Sequence, residues 1–476
     1  MGSGGGRPYL ILGVLTTVTM LTMYVEAMVI PSLPHIESAL SATNEQAAWI
    51  LSIYLVVGAA VAPLFGKLGD IHGKKRLYIA SLFIYTLAVL LAGFSPNVYF
   101  LIGIRAVQGI GFSLFPLSLA IITDIFPKEM VATAQGIISA MVAIGMTIGM
   151  IAGAYIEEYM GWRAMFHVGF ILAATLLLLA WLVIKNITPV ARERVDYAST
   201  VLLASGTALV LIYLTETPYN GWFSAEQTAL LVSGLALFFG FVAYAGRSRN
   251  PLISLSILKR RNVMVANLAG LFSGISMFTL FLGVIYYAEE VPPYGLGLSV
   301  ISAALTLLPA TLAMIFIAPL VGSATTGLGP KPVLFYGSIV SAVGFWLLAF
   351  ERSGPTLLVI DSFIAGVGVV SLMIPIVNMI AVSMPAENVA VGLGFNTMVR
   401  YLGSSIGPVL AATFMTTYKY NVIYSLKLLG MTMFTEAGPI AFRYIFLTAL
   451  AFSLLTAVIS AFTVNYIPKN KAEIVA

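Results

Sequence analysis

The chain has 476 residues, 60% of them apolar and only 9% charged, with a mean hydropathy of +1.00. A soluble domain carries about a quarter charged residues, so a soluble globular chain is excluded and repeated membrane crossing is required, at about 20 mainly apolar residues per span. A net charge of +5 would suit nucleic acid, but the cations sit at the ends of apolar runs, where membrane topology accounts for them, and no nucleic-acid partner is expected.

Residues 1–8 are Gly/Ser-rich and are expected to be disordered. Fourteen apolar runs follow, at 9–33, 47–66, 77–94, 98–123, 132–156, 164–184, 199–215, 228–246, 263–287, 298–321, 332–350, 356–383, 389–415 and 440–465. No cleavable signal is seen, because the first run continues through Glu26 without a small-residue cleavage site. Only helices and closed barrels satisfy the backbone in hydrocarbon, and the alternating pattern of a barrel is absent. The expected fold is therefore an all-α membrane protein with 14 transmembrane helices.

Most of the 24 Lys and Arg residues fall in the segments that share a side with both termini. This bias puts both termini in the cytoplasm and the chain in the cell membrane. The opposite segments are acidic instead, with Glu37, Glu157, Glu158, Glu289 and Glu290 among them.

The first polar interruption is Gly66-Lys67-Leu68-Gly69-Asp70-Ile71-His72-Gly73-Lys74-Lys75-Arg76, read as a tight loop. Positive charges alone are ordinary for such a loop; Asp70 and the glycine spacing are not. The pattern recurs at Gly322 and Gly329-Pro330-Lys331, with Thr326 in place of the acid. At the same offset Arg105 corresponds to Asp361, and the glycine pairs Gly109/Gly111 and Gly366/Gly368 follow. The chain thus repeats itself: a six-helix bundle over 9–184, a linker with two extra helices over 185–262, a second six-helix bundle over 263–466, and a tail over 467–476. Two such halves with a substrate between them form a transporter plan.

Ionisable residues inside spans are costly and point to function. They are Glu26, Arg105, Asp361 and Arg400, with Asp124 at a helix end. Glu26 and Arg105 each lie some seven residues from the acidic side, roughly 10 Å deep at 1.5 Å per residue. A buried carboxylate near a buried guanidinium is a proton site, or else a fixed ion pair that orients helices. Gly145, Gly149 and Gly153 form a small-residue ladder suited to close helix packing. Gln108, Asn267, Asn378 and Arg400 are candidate cavity residues.

The 66–76 segment resembles the G-x-L-x-D-x-x-G-[RK]-[RK]-[RK] loop between helices 2 and 3 of the major facilitator superfamily, and Arg105-Ala106-Val107-Gln108-Gly109-Ile110-Gly111 is similar to that family's R-x-x-Q-G-x-G motif in span 4. Nearly the whole chain shares the resemblance, down to its fourteen-span drug:proton antiporter subfamily, echoed by Pro251-Leu252 with Arg260-Arg261-Asn262, by Gly297-Leu298-Ser299 with Leu307-Leu308-Pro309, and by Arg400-Tyr401-Leu402-Gly403. It implies a cytoplasmic gate made by Gly66, Asp70, Gly73, Lys74, Lys75 and Arg76, and proton transfer at Arg105. Two positions depart from the pattern. Met150 stands where the antiporter motif has proline, and Val25 stands where the family's first span has its acid, with Glu26 one residue on.

The expected activity is proton-coupled export of a hydrophobic or cationic small molecule by alternating access, performed by a monomer in the lipid bilayer. A proton symporter or facilitator for a nutrient, and a non-transporting receptor on the same fold, remain as alternatives. An enzyme is not expected: there is no nucleophile–base pair, no phosphate-binding G-x-x-x-x-G-K-[ST] loop, no metal set among three scattered histidines, no thiol chemistry without cysteine, and no cofactor.

Overall fold

The computed structural model describes residues 6–126, 128–184, 196–221, 223–248, 258–384, 389–426 and 430–466. The expected tails at 1–5 and 467–476 and most of the linker residues 185–195 and 249–257 lie outside these. In chain order the helices are α1 (Gly6–Ala27), α2 (Val29–Ala39), α3 (Asn44–His72), α4 (Lys74–Gly93), α5 (Val98–Gln108), α6 (Leu114–Ile125), α7 (Lys128–Met160), α8 (Trp162–Val183), α9 (Tyr197–Asn220) and α10 (Ala225–Ala245). They continue with α11 (Arg261–Glu289), α12 (Val300–Phe316), α13 (Ala318–Leu328), α14 (Pro330–Phe350), α15 (Pro355–Ser383) and α16 (Val389–Thr417). After the strands β1 (Lys419–Leu426) and β2 (Gly430–Ala437) comes α17 (Pro439–Ser460). Among the described residues, ten helices are long and apolar enough to cross a membrane. The chain is a multi-pass membrane protein whose apolar segments are helical.

Local chemistry sets the helix boundaries. Thr43 and Gln46 form a reciprocal capping box at the start of α3, which satisfies two otherwise orphaned backbone donors. Asn97, Ser224 and Ser299 cap α5, α10 and α12 through their side-chain oxygens. Gly73 (φ 98°) and Gly329 (φ 86°) separate α3 from α4 and α13 from α14. That region of backbone space favours glycine, so the repeat seen in the sequence is a repeat of one turn geometry.

Three expectations are corrected. The polar stretch at 66–76 is not a loop: α3 continues to His72 and α4 begins at Lys74, leaving Gly73 alone as the turn. Once clear of hydrocarbon, polar residues can continue a helix, and only the glycine stops it. The same holds at 322–329, where α13 extends to Leu328. The run at 98–123 is also interrupted, by a 3₁₀ turn over Gly109–Ser113. A Cβ on Gly109 would meet the Tyr54 carbonyl at 2.7 Å and one on Gly111 the Tyr85 ring at 2.6 Å, so these glycines admit α3 and α4. Finally, an antiparallel hairpin, β1 with β2 in the register Lys419↔Ala437 to Leu426↔Gly430, lies between α16 and α17, where no element was foreseen.

Helices α1–α8 pack among themselves, as do α11–α17. Between the two groups runs a seam at which α3 meets α16, α7 meets α12, and α2 meets both α11 and α12. Helix α9 pairs with α10 and touches α3 and α16. One hydrophobic core runs through both groups. We call the end carrying Glu37, Glu157, Glu158, Glu289 and Glu290 the acidic end, and the end carrying Lys74, Lys75, Arg76, Arg260, Arg261 and Lys331 the basic end.

Candidate functional site

Arg105 is the largest fully buried side chain in the protein, at 0% exposure. Its position on α5 follows from the Asn97 cap two turns earlier. Nε donates to the Ile50 carbonyl of α3 at 3.0 Å and Nη1 to Gln108 Oε1 at 2.9 Å, while the guanidinium lies 4.2 Å from the centroid of the Tyr54 ring. Gln108 in turn donates to the Ala88 carbonyl of α4 at 3.2 Å, so it orients the arginine. Nη2 is buried with no acceptor. An unmade bond on a buried charged group costs on the order of 1–3 kcal/mol or more.

Glu26, 3% exposed on α1, has no hydrogen-bond or ion-pair partner among the described residues. The charges that reach it are those of Arg105 and, from across the seam, Arg400 of α16. No direct ion pair joins Glu26 to Arg105, so the two are not locked together. The one-residue departure in this span is explained by packing: Val25 faces α8, where a Cβ on Gly169 would meet it at 3.3 Å. Glu26, about 100° further round the helix, therefore points another way, toward the two arginines.

Aromatic rings complete the site. The Phe112 ring centroid lies 4.7 Å from that of Tyr54 and 4.2 Å from that of Tyr401 of α16, tilted at 47° and 45°. Arg400 lies 5.6 Å from the Tyr401 ring and approaches the Met373 sulfur of α15 at 3.7 Å. Close by, Ser52 Oγ donates to the Ser405 carbonyl at 2.8 Å, again across the seam. As site residues, Tyr54, Tyr85 and Phe112 were not foreseen: each is one aromatic among many in an apolar run, and no local pattern marks it. Tyr401 stood in the quoted Arg400-Tyr401-Leu402-Gly403 stretch without a role, and Arg105 with Gln108, three apart on one helix face, was the clearest local clue to the cluster.

The glycine ladder does packing work. A Cβ on Gly145 or Gly149 would strike the Met20 or Tyr24 carbonyl, and one on Gly153 would meet Met28 Cβ at 2.5 Å. Backbone-to-backbone approach of α7 on α1 fixes the helix that carries Glu26. Met150, in the place of the motif proline, is buried at 1% exposure.

At the basic end, Lys74 Nζ bonds Asp124 Oδ2 of α6 at 2.7 Å and reaches the Ala120 carbonyl at 3.4 Å. The surroundings of Gly66 and the side chain of Asp70 lie outside what is described. Gly73 makes the turn already noted, and Lys75 and Arg76 point outward. The remaining expected residues are dispersed. Asp361 is buried near the acidic end of α15 with Oδ2 lacking a partner. Asn267 accepts from Asn396 of α16 at 3.2 Å and donates to Val263 at 2.9 Å. Asn378 is engaged near the basic end by Tyr466, whose hydroxyl donates to its side chain and backbone.

A helical bundle with a charged, aromatic seam between two packed groups invites comparison with known membrane proteins. The family profile of the Major Facilitator Superfamily matches residues 15–408 and 266–475. The chain belongs to the Major Facilitator Superfamily. Among relatives of this transporter, a multidrug resistance protein B homolog of Mycobacterium tuberculosis is 28% identical over 411 residues, covering 83% of this chain and 74% of that one. A major facilitator superfamily multidrug transporter of Aspergillus fumigatus is 30% identical over 348 residues, covering 71% and 66%. The fold is shared with a bacterial homolog of the human lysosomal transporter Spinster, solved in an inward-facing, unoccupied conformation, at a TM-score of 0.66, 16% identity and 97% coverage of both chains.

Proposed function

We propose that this transporter exports hydrophobic or cationic small molecules across the cytoplasmic membrane in exchange for protons, by alternating access, as a fourteen-span drug:proton antiporter. The observation that carries the reading is the unpaired couple at the seam: a buried Glu26 without a partner and an Arg105 Nη2 without an acceptor. A proton on Glu26 neutralises a desolvated charge, and a cationic substrate favours the ionised form instead, so proton and substrate compete for one carboxylate. Arg105 and Arg400 bias that competition from the two sides of the seam. The Tyr54, Phe112, Tyr401 and Met373 side chains offer apolar and cation–π surface to a flat or charged ligand. The multidrug names of the relatives support this substrate class.

In this reading residues 9–184 and 263–466 are the two moving bundles and 185–262 carries the extra helix pair. The excess of cations places the basic end and both termini in the cytoplasm. Lys74–Asp124, with Asp70, forms the cytoplasmic gate, and Asp361 is a second candidate proton acceptor. Because packing against α1 accounts for the glycine ladder in full, proton symport through the same site is the second reading.

The test is proton flux in proteoliposomes driven by a gradient of a lipophilic cation. Antiport requires protons to move against the cation, and co-movement would establish symport. Arg105→Lys loses the planar fork that holds Ile50 and Gln108 together; it should lower coupled flux by about 10- to 100-fold, the worth of one or two charge-assisted hydrogen bonds. Normal flux with a normal pH profile in this variant would reduce Arg105 to a mere positive charge.

A further inference from the structure

Outside the seam, a groove of about 740 Å³ opens between α4 and α8 on the outer face of the bundle. Helix α4 leaves the basic end at Lys74 and α8 returns to it at Val183. Lys75, Arg76 and Trp181 therefore stand at the mouth of the groove. Phe83 lies eight residues along α4 and Ala174 seven residues back along α8, each roughly 10–12 Å deeper at the helical rise. The wall between is apolar, and Phe83, Leu178 and Trp181 are more than half exposed.

The cations at the mouth are unspent. Lys74 is taken by Asp124, but neither Lys75 nor Arg76 makes a hydrogen bond or ion pair with any described residue. The related turn of the second half differs: Pro332 occupies the position of Arg76, and Lys331 Nζ donates to the Ala461 carbonyl at 3.1 Å. A cation pair without a partner among the described residues, above an apolar channel and with a tryptophan at the level where indoles favour the membrane interface, complements an anion that carries a long hydrocarbon tail.

We infer that this groove is a binding site for one anionic diacyl phospholipid, its phosphodiester held between Lys75 and Arg76 and an acyl chain laid along Phe83, Leu178 and Trp181. The site is independent of proton coupling and of transport direction. It belongs to the first half only, so a lipid there acts on α4 and α8 beside the Gly73 turn.

The full chain, purified in detergent, is titrated with phosphatidylglycerol or with phosphatidylcholine of the same chain length, and bound lipid is counted by native mass spectrometry. Phosphatidylglycerol is expected to bind about 30-fold more tightly, from two cations at the membrane surface. Lys75→Gln with Arg76→Gln should erase that preference. Ala174→Trp, which fills the groove and leaves the charge alone, should weaken phosphatidylglycerol binding to a similar extent. Arg247→Gln, an exposed cation elsewhere at the basic end, should leave it unchanged. The inference is overturned by equal affinity for the two lipids, or by binding that survives Ala174→Trp, which would mean surface charge alone. It is also overturned if glycerol 3-phosphate displaces the lipid at equal concentration, marking a free phosphate site, or if a dimer of this chain forms that excludes lipid.

Discussion

At the acidic end, Tyr286 of α11 donates its hydroxyl to Glu37 of α2 at 2.8 Å, and the Ile301 amide of α12 donates to Glu158 of α7 at 3.0 Å. At the basic end the bonds stay within one group of helices. Lys74 holds Asp124, Arg260 donates to the Ser383 carbonyl, Arg261 to the Phe462 carbonyl, and Asn262 and Val464 bond each other. Among the described residues, hydrogen bonds cross the seam only at Ser52–Ser405 and above it toward the acidic end. Among the described residues, the acidic end is thus stitched across the seam, and the basic-end bonds are stitched within one group of helices. Polar links are cheap to remake at a membrane surface where water competes, and a two-state gate needs links of that kind.

The comparison can be broken most severely through the ladder that holds α7, and with it Glu158, on α1. Gly149→Ala forces a methyl group against the Tyr24 carbonyl, and overpacking of this kind costs about 1–3 kcal/mol. The variant should melt several degrees lower in detergent and label more readily at the acidic end. An unchanged melting temperature would show that α1 and α7 separate without cost.

Tyr286→Phe is a finer probe. It removes one stitch worth about 1 kcal/mol, enough to shift a two-state equilibrium about fivefold. The chain has no cysteine, so single cysteines at Ser41 and Ser299 can carry spin labels, and their distance distribution should gain a longer component in the variant. An unaltered distribution would assign the closure of the acidic end to apolar packing.

The smallest expected effect is a pH dependence. Glu45, at the acidic-end start of α3, is partly buried within hydrogen-bonding reach of Glu216 on α9, and burial followed by that second carboxyl pushes it up to about 7. Its folded pKa is raised, so the protonated form favours docking. That contribution is complete below the ordinary carboxylate range and is lost as pH rises through about 7. Protection factors of the amides at the end of α9, which already take out the base-catalysed rise in intrinsic exchange, should therefore fall between pH 5 and pH 8, and Glu45→Gln should flatten the change. A slope of opposite sign would mean that Glu45 and Glu216 do not share a proton.

The sequence made much of this legible because hydrocarbon leaves few options. Apolar runs had to be helices, but with Gly66, Gly69 and Gly73 all in one stretch, and Gly322, Gly327 and Gly329 in the other, the sequence did not say which glycine would make the turn. Arg105 with Gln108 was readable as one helix face. What was hidden depends on distant partners: the Ile50 carbonyl and the Tyr54 ring come from another helix and nothing near them in the chain marks them, and Arg400, although named, gave no sign that it would lie beside Glu26. The depth of Glu26 could be counted, whereas its direction depended on Val25 fitting against Gly169. The β1–β2 hairpin was overlooked for another reason. Tyr420, Val422, Ile423 and Tyr424 have good strand propensity, but a short stretch between two long apolar runs is easily dismissed as connection.

One further consequence concerns the order in which the protein is made. The segment after α17 ties the basic end of the second half together: Val464 bonds Asn262, Asn465 accepts from the Lys331 amide and donates to the Leu328 carbonyl, and Tyr466 reaches Asn378. These few residues leave the ribosome after every helix they fasten. Until then α11, α13, α14 and α15 sit in the bilayer without their shared clasp, so during biogenesis this corner is completed only after the helices it fastens.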